Sequence, residues 1–240
     1  MDEIMFKIAG VLSDRTRYTI YDYIFHQCTG VSVQDIAEEF GIHPNVARLH
    51  LTKLEDVSLL RSYFDKRSKK GGRPNKVYTL SNETISFHFP HRDLSVITTL
   101  AMKTIYNLGT PACEAFIEQN YEYGKQLGQK NRLKHQIDKE SSLQDILDTI
   151  KITLENSGLN PSIHVQNDNE IELDIRNCTY KDSISLFPDL LCRAHQKVLL
   201  GIFESFFDLL QFTPLKTLQD FTSCNYCHYN AQFKLWDRKQ

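Results

Sequence analysis

No apolar run in this 240-residue chain is long enough to cross a bilayer as a helix. The greasiest stretch, VLLGIFESFFDLLQF at 198–212, is broken by Glu204 and Asp208, short of the roughly 18 uninterrupted apolar residues that a span needs. A basic n-region is missing as well, since MDEIMFKIAG places acids where an export signal carries lysine or arginine. Glycine (10) and proline (7) are scarce, which excludes collagen-like and low-complexity classes. Walker loops, G-x-G-x-x-G, H-E-x-x-H and G-x-S-x-G are all absent, so no phosphate cradle, zinc-protease helix or hydrolase nucleophile is on offer. The expectation is a cytoplasmic protein, without a membrane partner and not an enzyme, of one large or two modest domains at roughly 150 residues each.

What is present begins with charge. Lys and Arg number 28 against 30 Asp and Glu, but Arg61 to Lys76 holds seven bases (Arg61, Lys66, Arg67, Lys69, Lys70, Arg73, Lys76) against Asp65 alone. Such a local excess suits a polyanion surface; a solvated loop is the plainer alternative.

Around that segment the apolar periodicity predicts a domain over 1–90. Ile4, Ile8 and Leu12, then Tyr18, Ile20, Tyr21, Ile24 and Phe25, mark two short helices. Ser32 with Asp35 is a capping-box start, Gly41 a helix stop, and Pro44 suits the first turn of a further helix that runs to about Val57. Val46, His50, Leu51 and Leu54 are expected on its inner side. Two helices joined by a tight Gly-containing turn are the helix-turn-helix pattern, and β-prone runs at 60–65 and 76–80 around KRSKKGGRPN complete a winged helix. The second helix of such a motif enters the major groove. Its outward positions are His43, Asn45, Arg48 and Leu49, with Thr52 and Lys53 beyond them. Arginine pairs bidentately with guanine and asparagine with adenine. Arg67, Lys69, Lys70, Arg73 and Lys76 of the wing suit phosphates, which supply affinity more than sequence choice.

Residues 91–138 are expected to be a helical linker and dimerisation region. Leu94, Ile97, Leu100, Met102 and Ile105 line one broad face, and Gly124 and Gly128 leave a groove for a close-packed helix. Residues 139–240 are expected to form an α+β domain: a helix through Leu143–Leu154, strands at SIHVQ and EIELDIR, a long helix from Pro188 through Leu210, and a last strand at about 226–236. The fold class is therefore α+β throughout.

Six cysteines in a reducing compartment are not expected to form disulfides. Cys28 and Cys113 are taken as packing residues, because free cysteine is commonly buried. Cys178, Cys192, Cys224 and Cys227 share one domain, and His195 lies one turn after Cys192, so thiolate ligation of a metal or cluster is expected there. Zinc, or no metal at all with an organic-effector pocket, remains the alternative, and so does a thiol-redox use of Cys224-x2-Cys227. That last reading is weak, since a redox CxxC opens a helix and this one enters a strand.

Taken together, LSDRTRYTIYDYI, VSVQDIAEEFGIHPNVARLHLTKLED and GGRPNKVYTLS resemble the ArsR/DeoR-type winged-helix repressors. IRNCTYKDSISLFPDLLCRAHQKVLLGIF resembles a segment of the iron–sulfur-cluster biosynthesis (Suf) repressors. The resemblance implies a homodimeric repressor on an inverted-repeat operator in double-stranded DNA, with a [4Fe–4S] cluster on three cysteines per subunit: Cys178, Cys192 and either Cys224 or Cys227. His43 departs from the family pattern, which has a small hydroxyl residue there.

Overall fold

The computed structural model describes residues 2–27, 29–65, 75–81, 84–85, 92–217 and 226–234. The chain divides into two compact units, Met1–Arg92 and Asp93–Gln240. The stretch 91–138, expected as a linker, thus belongs from residue 93 onward to the second unit.

The first unit runs α1 (Asp2–Leu12), α2 (Arg15–His26), β1 (Val31–Ser32), α3 (Val33–Glu39), α4 (Pro44–Asp56), β2 (Leu60–Asp65) and β3 (Asn75–Leu80). Its helix starts are fixed by local chemistry. The Asp14 carboxylate accepts the Arg17 N–H at 2.9 Å. Ser32 and Asp35 form a reciprocal capping box, with the Asp35 N–H donating to Ser32 Oγ at 3.2 Å and the Ser32 N–H donating to Asp35 Oδ2 at 2.7 Å. Gly41, at φ 60°, takes the left-handed conformation that lets α3 turn into α4 within four residues. Ile20, Ile24, Ile36, Leu51 and Leu54 bury together with Leu60 and Tyr78 from the sheet. That sheet has the order β1-β3-β2, and β2 and β3 form a hairpin in register from Leu60↔Leu80 to Asp65↔Asn75. Along α4 the buried set is Ala47, Leu51 and Leu54; Val46 is 42% exposed, one position away from the expected inner stripe.

The second unit runs α5 (Leu94–Asn107), α6 (Thr110–Lys134), α7 (Leu143–Asn156), β4 (Pro161–Asn167), β5 (Glu170–Ile175), α8 (Lys181–Ile184), α9 (Pro188–Glu204), β6 (Asp208–Lys216) and β7 (Cys227–Lys234). The antiparallel sheet has the order β4-β5-β7-β6. Alternation along β5 and β7 turns Ile171, Leu173, Ile175, Tyr229, Ala231 and Phe233 inward, where they meet Ile150 and Leu154 of α7 and Leu199, Ile202 and Phe203 of α9. The helix expected through Leu210 stops at Glu204, and 208–216 is instead a strand. Periodicity cannot separate a short apolar run in a helix from one in a strand, and here pairing with β7 decides it. Pro214 is tolerated because β6 is an edge strand.

α6 and α9 run side by side in the same direction, Glu114 pairing with Arg193 near their starts and Lys125 C=O accepting from Ser205 Oγ further on. Gly124 and Gly201 make that approach possible: a Cβ on Gly124 would sit 2.1 Å from Val198 O, and one on Gly201 2.3 Å from Tyr121 O. The groove expected at Gly124 and Gly128 is therefore filled by the chain's own α9. The apolar stripe of α5 splits in two. Met102 is buried, whereas Leu94, Ile97 and Leu100 are 53%, 68% and 57% exposed.

Candidate nucleic-acid interface and thiol cluster

α4 is built to show one face and hide the other. Ala47, Leu51 and Leu54 pin it to the core, so His43, Asn45, Arg48, Leu49, Thr52 and Lys53 all stand exposed. His43 is the N-cap: its Nδ1 accepts the Asn45 N–H at 3.2 Å, the role a hydroxyl residue plays elsewhere. Arg48 Nη1 donates to Asn45 Oδ1 at 3.1 Å, which holds the guanidinium beside the amide on the same outward face. An exposed helix carrying Asn and Arg three residues apart matches base-edge readout in a major groove.

The wing is only partly described. Arg67, Lys69, Lys70 and Arg73 lie outside the described residues. Lys76 lies inside them and is engaged with its own domain: Nζ donates to Glu55 Oε2 at 2.7 Å and stands 4.8 Å from the centre of the Tyr78 ring. Burial pushes the Glu55 pKa up, but hydrogen bonds from Lys76 and Ser62 outweigh it and hold the carboxyl below its ordinary value. Glu55, which the sequence pattern did not single out, anchors the base of the hairpin to α4.

In the second unit, three of the four expected cysteines are described; Cys224 lies outside, as does Cys28. Cys178 follows β5, Cys192 lies in α9 and Cys227 opens β7. Cys178 is buried among Met102, Ile117, Ile184, Phe187, Leu190, Leu191 and Ala194, with Cys192 and Cys113 packed against that cluster. None of the described cysteines is in a disulfide. Burial pushes the Cys178 thiol up to about 12, and the charges of Cys227 and Cys192 add to the rise. The Tyr180 N–H bonds to the Cys178 sulfur and opposes the shift.

His195 belongs to the same place. It is 3% exposed, its Nδ1 lies 3.7 Å from Cys178 Sγ, and Nε2 is buried without a hydrogen-bond partner. Burial pushes its pKa down to about 4, so the ring is neutral at physiological pH and has a lone pair to give. Tyr180 stacks obliquely on it at 5.2 Å and fixes its own hydroxyl by donating to Asn120 Oδ1 at 2.6 Å. Thiolates and imidazole are the donors that zinc and iron–sulfur groups take, and a buried imidazole with one nitrogen beside the Cys178 sulfur and the other unpartnered is of that chemistry. Among the described residues, no three His, Cys, Asp or Glu side chains already stand in coordinating geometry. Two open surface hollows, about 400 Å³ beside α7 and about 420 Å³ beside α1 and α4, are not lined by any of these cysteines.

Comparison with known proteins bears on the first unit. Residues 12–63, from the end of α1 into β2, match the family described as a helix-turn-helix domain. With the exposed face of α4, this match supports a DNA-binding domain of the kind that winged-helix transcription regulators carry. No curated protein matches the chain. No helix among the described residues is long and apolar enough to cross a membrane.

Proposed function

We propose that the protein is a sequence-specific transcriptional repressor that binds an inverted repeat as a homodimer and carries a [4Fe–4S] cluster in its second unit. The observation that carries the DNA-binding part is the outward set on α4, Asn45 and Arg48 above all, on a helix pinned by a buried opposite face. In this reading α4 enters the major groove, Arg48 reads a guanine edge, and the lysines and arginines of the 66–74 segment bind phosphates. Fluorescence anisotropy on an operator selected from random duplexes tests it. Arg48→Ala should cost ~1–3 kcal/mol on the selected site and relax base preference there. Replacing Arg67, Lys69 and Lys70 together by alanine should weaken binding to every duplex and lower the salt slope by about 0.9 for each phosphate no longer neutralised. Equal losses for Arg48→Ala on selected and random DNA would remove it from base readout.

The ligands of the cluster are Cys178, Cys192 and Cys227 or Cys224, with His195 Nε2 as a further donor. When bound, an iron–sulfur group supplies a centre sensitive to oxidants. The chain's part is to hold it with sulfurs from three separate elements, to exclude water with Ile184, Phe187, Leu190 and Leu191, and to steady His195 through Tyr180. Zinc is the second reading, favoured by the orphaned imidazole nitrogen. Iron and sulfide analysis of oxygen-free, reconstituted protein separates the two. Wild-type chain should retain iron and visible charge-transfer absorption, and Cys178→Ser and Cys192→Ser should lose both; colourless wild-type protein that holds zinc instead would favour the second reading. A thiol-redox enzyme fits less well, because Cys178 is held protonated by burial and Cys227 opens a strand in place of a helix.

A further inference from the structure

The face that α4 turns to solvent is not uniformly polar. Val46 is 42% and Leu49 54% exposed, both within the first two turns of that helix. They stand three residues apart, hence about 60° from one another around the axis, and make one small apolar patch. The core needs neither of them, because Ala47, Leu51 and Leu54 already supply the buried stripe. The helix gains nothing from Val46 either, since a β-branched side chain loses rotamer freedom there. The patch also has a definite side. Glu55 follows Arg48 by seven residues, which returns it to within about 20° of the same line. Glu55 is the residue that Ser62 and Lys76 of the hairpin donate to. Arg48 therefore lies on the hairpin side of the exposed face, Asn45 and Thr52 lie mid-face, and Leu49 and Val46 follow on the side away from the hairpin. The outward face of α4 has a hydrogen-bonding half and an apolar half.

We propose that Val46 and Leu49 are specificity-determining residues that pack on thymine methyl groups, so that each half-site carries thymine beside the base pair that Arg48 reads, on the side away from the hairpin. The inference rests on the DNA-binding reading above and adds to it what the operator must contain. The apolar group that a base edge offers in the major groove is the C5-methyl of thymine. A contact with phosphates alone would leave the patch facing charge and water, where it contributes nothing. Against a methyl, both apolar surfaces leave water together. Val46 enters this set only through the structure, which turns it outward from the place its spacing in the sequence suggests. The thiols of the second unit play no part in it.

The test changes the DNA by one methyl at a time. Deoxyuridine in place of thymidine removes the C5-methyl and keeps every hydrogen-bonding group of the base. Anisotropy with the operator selected by the intact chain is repeated with each thymine so replaced. Wild-type protein should lose about fourfold in affinity at one or two thymines of each half-site, the worth of one buried methyl. A chain with Val46→Ala and Leu49→Ala together should bind the thymine and uracil duplexes alike. Both positions are exposed and alanine is the best helix former, so that variant keeps its fold, and the uracil scan of the wild-type chain stands without it. An operator with no thymine there, a wild-type chain indifferent to every uracil, or a variant as sensitive as wild type would overturn the inference and leave the DNA-binding reading standing. A chain that selects no duplex would overturn that reading and this inference with it.

Discussion

Gly201→Leu is expected to abolish the cooperative unfolding of the second unit. The added side chain would meet main-chain atoms, Tyr121 O at 2.3 Å and Lys125 N at 2.7 Å, and backbone cannot swing aside as a side chain can. Ordinary overpacking costs ~1–3 kcal/mol where neighbours can yield. Here α6 and α9 would have to separate along their length, undoing the packing around Val198 and Ile202, and the cost should approach the ~5–15 kcal/mol that holds a whole domain together. Gly124→Val should behave alike, since Val198 O lies 2.1 Å from its would-be Cβ. Gly10→Ala is the control: nothing lies within 4 Å, so an alanine there, in the last turn of α1, should stabilise by at most ~0.5–1 kcal/mol. Denaturant melts followed by circular dichroism check all three. A Gly201→Leu protein that unfolds at the wild-type midpoint would refute the tight crossing.

With the proposed homodimer paired through α5, Ile97→Glu combined with Leu100→Glu is expected to leave a folded monomer that has lost most of its operator affinity. Leu94, Ile97 and Leu100 form an exposed apolar ridge on a helix whose buried side is Met102, so charge there touches no core residue. One recognition helix per chain reads one half-site, and linking two of them makes the second binding event intramolecular. Losing the link should cost about 100-fold or more on an inverted repeat and little on an isolated half-site. Sedimentation equilibrium reports the mass, and anisotropy on both duplexes reports the affinity. A double variant that stays dimeric, or a wild-type chain that sediments as a monomer, would overturn α5 as the dimer contact.

The first unit was legible because each of its boundaries is written in local chemistry. Ser32 and Asp35, Gly41, and His43 before Pro44 each satisfy or free particular backbone groups, and the helices fall where those residues put them. Val46 was misplaced because a helical stripe is read to within one position, and Ala47, too small to weigh heavily in the pattern, takes the buried place. Beyond Glu204 the sequence offers no stop signal of that kind, and the turn into β6 comes from Phe206 and Phe207 burying in the core and from pairing with a strand nineteen residues downstream of Asp208. Cys178 and His195, which do lie side by side, were read together because Cys192 and His195 are one turn apart in the domain that also holds Cys178. The outer face of the sheet, where His164 of β4 and His228 of β7 flank Glu172 and Asp174 of β5, was not expected. Its members are ordinary outward residues of three strands, and only the register of β4, β5 and β7 makes neighbours of residues up to 64 positions apart.

Met102 gives α5 its footing. It is the buried residue of that helix, and it lies in the same apolar cluster as Cys178, with Tyr106 of α5 against Phe187 at 5.4 Å. α5 also begins directly after the boundary at Arg92, so it is the first rod that the chain leaves the DNA-binding unit on. Anything that changes the volume around the sulfurs, whether an inserted inorganic core, an oxidised thiol or a bulky adduct, must therefore be accommodated where that rod is seated. A tilt at the seat is carried along the eight residues from Met102 back to Leu94, about 12 Å of helix at 1.5 Å each. The ridge that α5 shows to solvent is thereby tied, through Met102 and Tyr106, to whatever state the Cys178 sulfur is in.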